Sequence, residues 1–234
     1  MFKLKRIHLL SFPGLAISLP ALWFAMAYGG LPRLWSHHEH KRQSGRHPEI
    51  ASYTSQGIPA DPVNLELHGD EAAIACTFAR SGWTRADAVS PWSGLKIGGS
   101  VLLRQSYPQA PVSPLYVQDL SQDVAFQLDE GKSADKRHHV RFWRVGPNDW
   151  LGAATFDRGV GFSLFTLQIT HHIGPDVDAE RERISALVVA GGGRVAGTVS
   201  SGIPGNRWHR NGGGDKFRTD GAIRVLDLGR CVPG

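Results

Sequence analysis

His138-His139-Val140-Arg141-Phe142-Trp143-Arg144 reads as one β-strand, and that reading decides the fold. Successive strand side chains point to opposite faces of a sheet. His138, Val140 and Phe142 therefore share a core-facing side, while His139, Arg141 and Trp143 share a candidate functional side. A second run, Leu167 to Ile173, divides in the same manner, with Leu167, Ile169, His171 and Ile173 on the apolar side and Gln168, Thr170 and His172 on the polar one. The expectation is that His138 and His171 are buried structural histidines and that His139 and His172 meet on one polar wall.

The flanking pattern supplies the rest of the sheet. Val63 to Leu67 alternates as a strand. Asp70 or Gly69 then opens a helix that carries Ile74 and Phe78 on one face and ends near Gly82. A second helix is expected over Trp92 to Arg104. Strands follow over Pro114 to Asp119 and Gln122 to Leu128, linked by Leu120-Ser121 as a hairpin, and then over His138 to Val145, Trp150 to Phe156 and Phe165 to Ile173. Val177 to Val189 is helical, with Ile184, Leu187 and Val188 at i, i+3 and i+4, and Gly191-Gly192-Gly193 stops it. Ala222 to Leu228 is a last strand. This order predicts an α+β domain: a mainly antiparallel sheet with two to three flanking helices, preceded by one N-terminal transmembrane helix.

The basic character of the chain is concentrated at its start. Of 26 Lys and Arg residues, seven lie in 1–48 beside a single acid, Glu39, which leaves nineteen basic and twenty acidic residues in 49–234. A near-neutral body gives nucleic-acid binding no electrostatic footprint. Lys3, Lys5 and Arg6 precede an uncharged stretch of twenty residues, Leu9 to Tyr28, long enough to cross a bilayer as a helix. A cleaved signal peptide is the alternative, because Ala25-Met26-Ala27 fits a small-x-small cleavage pattern. The organisation read from these signals is a membrane anchor or signal segment over 1–31, a basic juxtamembrane linker over 32–60 that includes His37-His38-Glu39-His40-Lys41-Arg42, and the α+β domain over 61–230. The expected location is the cell inner membrane, single-pass, with the soluble domain in the periplasm. The only cysteines, Cys76 and Cys231, form no CxxC motif. Cys76 reads as core filler, with a disulfide to Cys231 as the alternative outside the cytoplasm.

Chemistry is expected on the polar strand faces. His139, His172 and Asp157 are candidate ligands for a divalent metal with an open position for water. The metal-free alternative uses Arg141 to hold an anion and a histidine to move a proton. Asp157 also precedes Arg158-Gly159, where a turn is expected. Asn211-Gly212-Gly213-Gly214-Asp215 is a candidate ligand-binding loop, since consecutive N–H groups can form an anion nest; a surface turn is the simpler reading. Asp176, Asp178 and Glu180 suit a helix start better than a calcium site.

Seven motifs together resemble the LssY C-terminal-like domain family: Gly57-Ile58-Pro59-Ala60-Asp61-Pro62-Val63-Asn64, Ser113-Pro114-Leu115-Tyr116, His138-His139-Val140-Arg141-Phe142-Trp143, Leu151-Gly152-Ala153-Ala154-Thr155-Phe156-Asp157, Thr170-His171-His172-Ile173, Asp176-Val177-Asp178-Ala179-Glu180-Arg181 and Asn211-Gly212-Gly213-Gly214-Asp215. The resemblance implies a domain that occurs alone behind a membrane segment, or joined to multispanning proteins of the DedA or type-2 phosphatidic acid phosphatase kinds. It implies work at bacterial membranes, on lipid or lipid-linked phosphate, and carries over no catalytic roles. The resulting expectation is an anionic-ligand site made by His139, Arg141, Asp157 and His172 with the glycine loop nearby, acting as a phosphoester hydrolase. The alternative is a non-catalytic accessory domain for a membrane protein or envelope component.

Overall fold

The computed structural model describes residues 12–31, 33–34, 37, 50–54, 57–86, 115–118, 120–131, 136–164 and 169–231. Helix α1 spans Phe12–Ala25 and passes into a π-helical turn, Met26–Gly30. Strands β1 (Ala51–Tyr53), β2 (Pro59–Pro62) and β3 (Leu65–His68) lead into α2 (Glu71–Arg80) and β4 (Thr84–Arg85). After them come β5 (Tyr116–Val117), β6 (Leu120–Ser121), β7 (Val124–Asp129), β8 (Arg137–Arg144), β9 (Asp149–Phe162) and β10 (Ile169–Ile173). Helix α3 (Val177–Ala190), β11 (Arg194–Ser200), β12 (Arg207–Arg210), β13 (Lys216–Thr219) and β14 (Ala222–Asp227) complete the described elements.

The large sheet has the order β11-β14-β3-β9-β8-β7-β4, with β10 also paired to β9. Only β14 and β3 run parallel within it. The α+β architecture with a mainly antiparallel sheet is therefore what the chain adopts. The fourteen-residue β9 is long enough to serve two partners along one edge, β3 through Asp149 to Gly152 and β10 through Asp157 to Phe162. A second sheet, β2-β1-β5-β6, and a separate hairpin, β12-β13, stand apart from the large one.

Both faces of the large sheet are covered. On one, Val140 and Phe142 of β8 pack with Ile74 and Phe78 of α2 and Ile184 and Val188 of α3. Phe78 stacks on Phe126 at 4.7 Å between ring centroids and meets Phe142 edge-on at 5.6 Å. Burying each such side chain contributes roughly 1.5–3 kcal/mol. On the other face, Trp143 and Ala153 pack with Val63, Leu115, Val117 and Ile223 beneath the small sheet. The two helices start alike: Asp70 accepts from the Ala73 amide at 2.6 Å and Asp176 from the Ala179 amide at 3.0 Å, each satisfying an orphan donor of a first turn.

Several boundaries differ from the sequence reading. Strand β1 and the first two residues of β2 lie within 32–60, the stretch expected to be linker. Leu120-Ser121 is not a link but strand β6, and the chain reverses just before it, where Gln118 takes φ 54°. Strand β9 does not turn at Asp157; it continues to Phe162 past a bulge between His172 and Ile173 of its partner. Strands β11, β12 and β13 were not foreseen. The helix expected over Trp92 to Arg104 lies outside the described residues, as do Leu9 to Ser11 of the apolar segment and Phe165 to Gln168. Among the described residues no helix is long and apolar enough to cross a membrane.

Cys76 of α2 is not a free core residue. It forms a disulfide with Cys231, with Cα atoms 5.9 Å apart, closing a loop across a sequence separation of 155. A cross-link over so long a loop restricts the unfolded chain strongly, and such bonds stabilise by about 2–5 kcal/mol. Reduction, or Cys76→Ala with Cys231→Ala, is expected to lower the melting temperature by roughly 5–15 °C, measured by calorimetry with and without reductant. Thiol titration of the unfolded, unreduced protein is expected to find no free thiol.

Candidate functional site

The residues Arg137, His139 and Arg141 alternate along β8 and so project to the small-sheet side, next to Thr155 and Asp157 of β9. Register places Arg137 opposite Asp157 and His139 opposite Thr155. Asp61 reaches the same space from β2 of the small sheet. Arg137, His139, Arg141, Asp61, Thr155 and Asp157 are all buried. The side expected to be a functional surface is thus an interior layer between two sheets.

One oxygen organises this layer. Asp157 Oδ2 lies 3.2 Å from Arg137 Nε, 3.2 Å from His139 Nδ1 and 3.3 Å from His171 Nδ1. Arg141 Nη1 donates to Asp61 through a short contact with Oδ2. His139 Nε2 stands 2.6 Å from Arg141 Nη1, 2.7 Å from Thr155 Oγ1 and 3.6 Å from Asp61 Oδ2. As a neutral ring it would accept from Arg141; as an imidazolium it donates to the Thr155 hydroxyl oxygen. Burial opposes the charged ring, but Asp157, aided by Asp61, outweighs both burial and Arg141 and raises the His139 pKa. Burial likewise acts to raise the pKa of Asp61 and of Asp157, yet both are lowered, Asp61 chiefly by Arg141 and Asp157 chiefly by His139. With His139 Nε2 accepting from Arg141, two arginines face two carboxylates in this layer.

His171 occupies the edge of the network. Its side chain is 39% exposed, against 2–3% for Arg137, His139 and Asp157. Burial of the ring, supported by the cations Arg137, His139 and Arg141, outweighs the Asp157 carboxylate and lowers its pKa to about 4. The ring is neutral at neutral pH. Nδ1 carries the proton toward Asp157, and Nε2 accepts from Arg137 Nη2 at 3.3 Å. Four buried polar atoms here lack a hydrogen-bond partner: His139 Nδ1, Arg141 Nε, Asp157 Oδ1 and His171 Nδ1. The two imidazole nitrogens that face Asp157 Oδ2 lie within reach of it but in a poor bonding direction. Unused capacity concentrated in one place marks a site rather than a finished core.

His172 is not part of this wall. Ile173 pairs with Asp157, and His171, two residues away, shares its face, so His172 points to the other side. There its Nδ1 lies 2.8 Å from Asp215 Oδ1, which also accepts from Arg158 Nη2 at 3.1 Å, while Asp215 Oδ2 accepts the Ile173 amide at 3.1 Å. The pairing of His139 with His172 is therefore corrected to His139 with His171. The error came from assigning Ile173 to the main core; it belongs to a separate cluster with Val177 and Phe217. The expected metal set of His139, Asp157 and His172 is not assembled, and among the described residues no three His, Cys, Asp or Glu side chains are arranged to hold a metal. Asp61, Arg137 and His171 were missed as site residues. Starting the strand at Arg137 would have added that residue to the polar face by parity alone.

The glycine loop has internal duties. The Gly212 amide donates to Pro59 O at 2.8 Å, that of Gly214 to Asn211 O at 3.0 Å, and that of Asp215 to Asn211 Oδ1 at 2.9 Å. Gly213 O accepts from Ser163 Oγ at 2.7 Å. A Cβ on Gly212 would lie 2.0 Å from Ile58 Cγ2, so only glycine lets the loop sit on the segment that leads into β2 and Asp61. Of the remaining acids, Glu180 binds His138 Nδ1 at 2.8 Å on the helix side of β8, and Asp178 accepts from Arg181, Thr219 and the Asp220 amide.

A family model described as LssY C-terminus matches residues 45–223, which include β1 to β13 and every residue of the charge network. No curated protein and no solved structure matches the chain.

Removing one partner of a buried ion network leaves the others uncompensated and costs about 3–5 kcal/mol. Asp157→Ala is expected to lose stability of this order in urea unfolding, because Arg137 and His139 are both stranded. The pH dependence has a definite sign. His171 has a lowered folded pKa, so stability falls as pH drops from 6.5 toward about 4, where the unfolded chain takes up a proton that the fold resists. Asp61 and Asp157 extend the loss at lower pH. His139, and His68 held up chiefly by its hydrogen bond to Glu66, have raised folded values, so their contributions disappear as pH rises above 6.5. Melting temperature against pH is expected to peak near 6.5, and His171→Gln is expected to flatten the limb between 4 and 6.5.

Proposed function

The chain belongs to the LssY C-terminus family, and from that premise we propose that it is a membrane-anchored, extracytoplasmic domain that binds the phosphate of an anionic, lipid-linked ligand at His171 and hydrolyses its ester. The observation that carries this reading is the half-exposed, neutral imidazole of His171 at the edge of a buried network in which Arg137 and Arg141 face Asp157 and Asp61. Arg137 sits against that imidazole and supplies the charge that a phosphate needs. When the phosphate takes over the Arg137 Nη2 donor, His171 Nε2 is released and takes a proton from a water molecule, whose oxygen forms the new bond to phosphorus. The ester P–O bond breaks, and the leaving oxygen takes the proton back from the imidazolium. Asp157, opposite Nδ1, stabilises the ring while it is charged.

Location rests on separate support. The Cys76–Cys231 disulfide suits an oxidising compartment. The helix Phe12–Ala25 exposes Leu19, Leu22 and Phe24 and continues helically through Gly30, as an anchor in lipid would. A second reading draws on the depth of the network: Arg141, Asp61 and His139 are buried well enough to serve as a polar pin between the two sheets of a non-catalytic accessory domain.

Turnover of p-nitrophenyl phosphate and of phosphatidic acid in detergent separates the two. The hydrolase reading expects activity with an acid limb in its pH profile near pH 4, a loss of about 10²-fold or more in His171→Gln, and near-parent activity in His172→Gln. Absence of turnover in the folded parent, or equal rates in parent and His171→Gln, would overturn it in favour of the accessory domain.

A further inference from the structure

The hairpin β12-β13 has two unlike faces. Register pairs Trp208 with Arg218 and Arg210 with Lys216, and alternation puts all four side chains on one side. The opposite side carries His209 and Phe217, whose rings stack at 5.5 Å, and Phe217 is buried in the cluster with Ile173 and Val177. The inner face thus anchors the hairpin to the domain, and the outer face bears one indole and three cations with no acid. Trp208 is 57% exposed, and the Arg218 guanidinium carbon lies 5.2 Å from its ring centroid. Asp176, Asp178 and Asp220 line a cleft with Arg218 at the edge of this face, and each has a partner of its own. Asp215 points inward to His172 and Arg158, Asp178 and Asp220 hold Arg181, and Asp176 caps α3.

We propose that this outer face docks the domain onto an anionic lipid bilayer, with Trp208 at headgroup level and Arg210, Lys216 and Arg218 against the lipid phosphates. An exposed tryptophan ringed by cations matches that interface, where an amphipathic ring is favoured and each cation strengthens association about five-fold. Placement agrees. The Ile50 amide, where the chain enters the domain, donates to Ser201 O at 2.7 Å, and Ser201 lies just ahead of the hairpin in sequence. Ile50 and the hairpin thus lie at one end of the domain, and Lys41, Arg42 and Arg46 precede Ile50 in the sequence. Docking depends on neither the chemistry at His171 nor the network behind it.

The test uses the full chain in nanodiscs of phosphatidylcholine alone or mixed with phosphatidylglycerol, with bromine-labelled lipid as quencher. The Trp208 signal is the difference between parent and Trp208→Phe. It is expected to be quenched in the anionic discs, to recover at high salt, and to be several-fold less quenched in the charge-reversed triple variant Arg210→Glu, Lys216→Glu, Arg218→Glu, which retains the indole. Adding the protein to preformed vesicles of the same compositions reads the hairpin even where the anchor does not insert. An unquenched Trp208 in anionic lipid, or equal quenching in neutral lipid, would overturn the proposal, whereas loss of disc insertion alone would count only against the anchor.

Discussion

A charge buried between two sheets must be neutralised where it lies, and in this protein that constraint falls on Asp157. One of its oxygens faces Arg137, His139 and His171. Each of these comes from a strand whose position is fixed by β9: Arg137 and His139 from β8 on one side, His171 from β10 on the other. The length of β9 therefore matters chemically. A strand that stopped near residue 156 would pair with β3 and β8 but would leave β10, and with it His171, without an edge. The small sheet is tied to the same balance through Asp61, whose carboxylate answers Arg141. The ion network is in effect the joint between the two sheets, and a failure at Asp157 would be felt in both.

The helix side of the sheet was legible because its chemistry is simple. Alternation in Val140 and Phe142, spacing of Ile74 with Phe78 and of Ile184 with Val188, and Asp caps three residues before Ala73 and Ala179 all point to one apolar core, and they were read correctly from local pattern. The other side was harder for a physical reason. It is also buried, so polar residues on β8 do not signify solvent, and apolar residues on β10 do not signify the main core. Ile173 misled in this way. Parity within a strand was readable; parity between strands depends on which residue pairs with which, and that register is set by β9 at long range. Short strands such as β1, β2 and β6 carry too few residues to show a period, and Pro59 and Pro62 argue against strand by propensity. They form because the large sheet needs a cover for Trp143 and the ions beside it.

The motifs contain Asp61, His139, Arg141, Asp157 and His171 without explaining them, and Arg137 lies just outside them. The stretch from Gly57 to Asn64 contributes Asp61 to the network, Ile58 as the seat for Gly212, and Asn64, whose amide bridges the carbonyls of Ala154 and Val177 at 3.0 Å each. The stretch from Asn211 to Asp215 supplies the carboxylate that orients His172 and holds the Ile173 amide. Two motifs far apart in sequence are thus in direct contact, each with a structural reason for its composition. The glycines allow close approach, and most of the loop's amides are used in making it.

The two faces of the large sheet differ in kind, one apolar and one holding a buried ion network. The helix side is aromatic and aliphatic, closed further by the disulfide from α2 to the segment after β14, and it can tolerate a costly arrangement opposite. That arrangement holds two arginines, two carboxylates and a histidine out of water, and leaves four polar atoms without bonding partners. An apolar layer of similar volume would be as stable or more so. Among the described residues of this network the solvent reaches it at His171, and that is why the proposed chemistry is placed on this imidazole. The burial of the ring and the cations behind it keep that imidazole neutral, and Arg137 and Asp157 orient it.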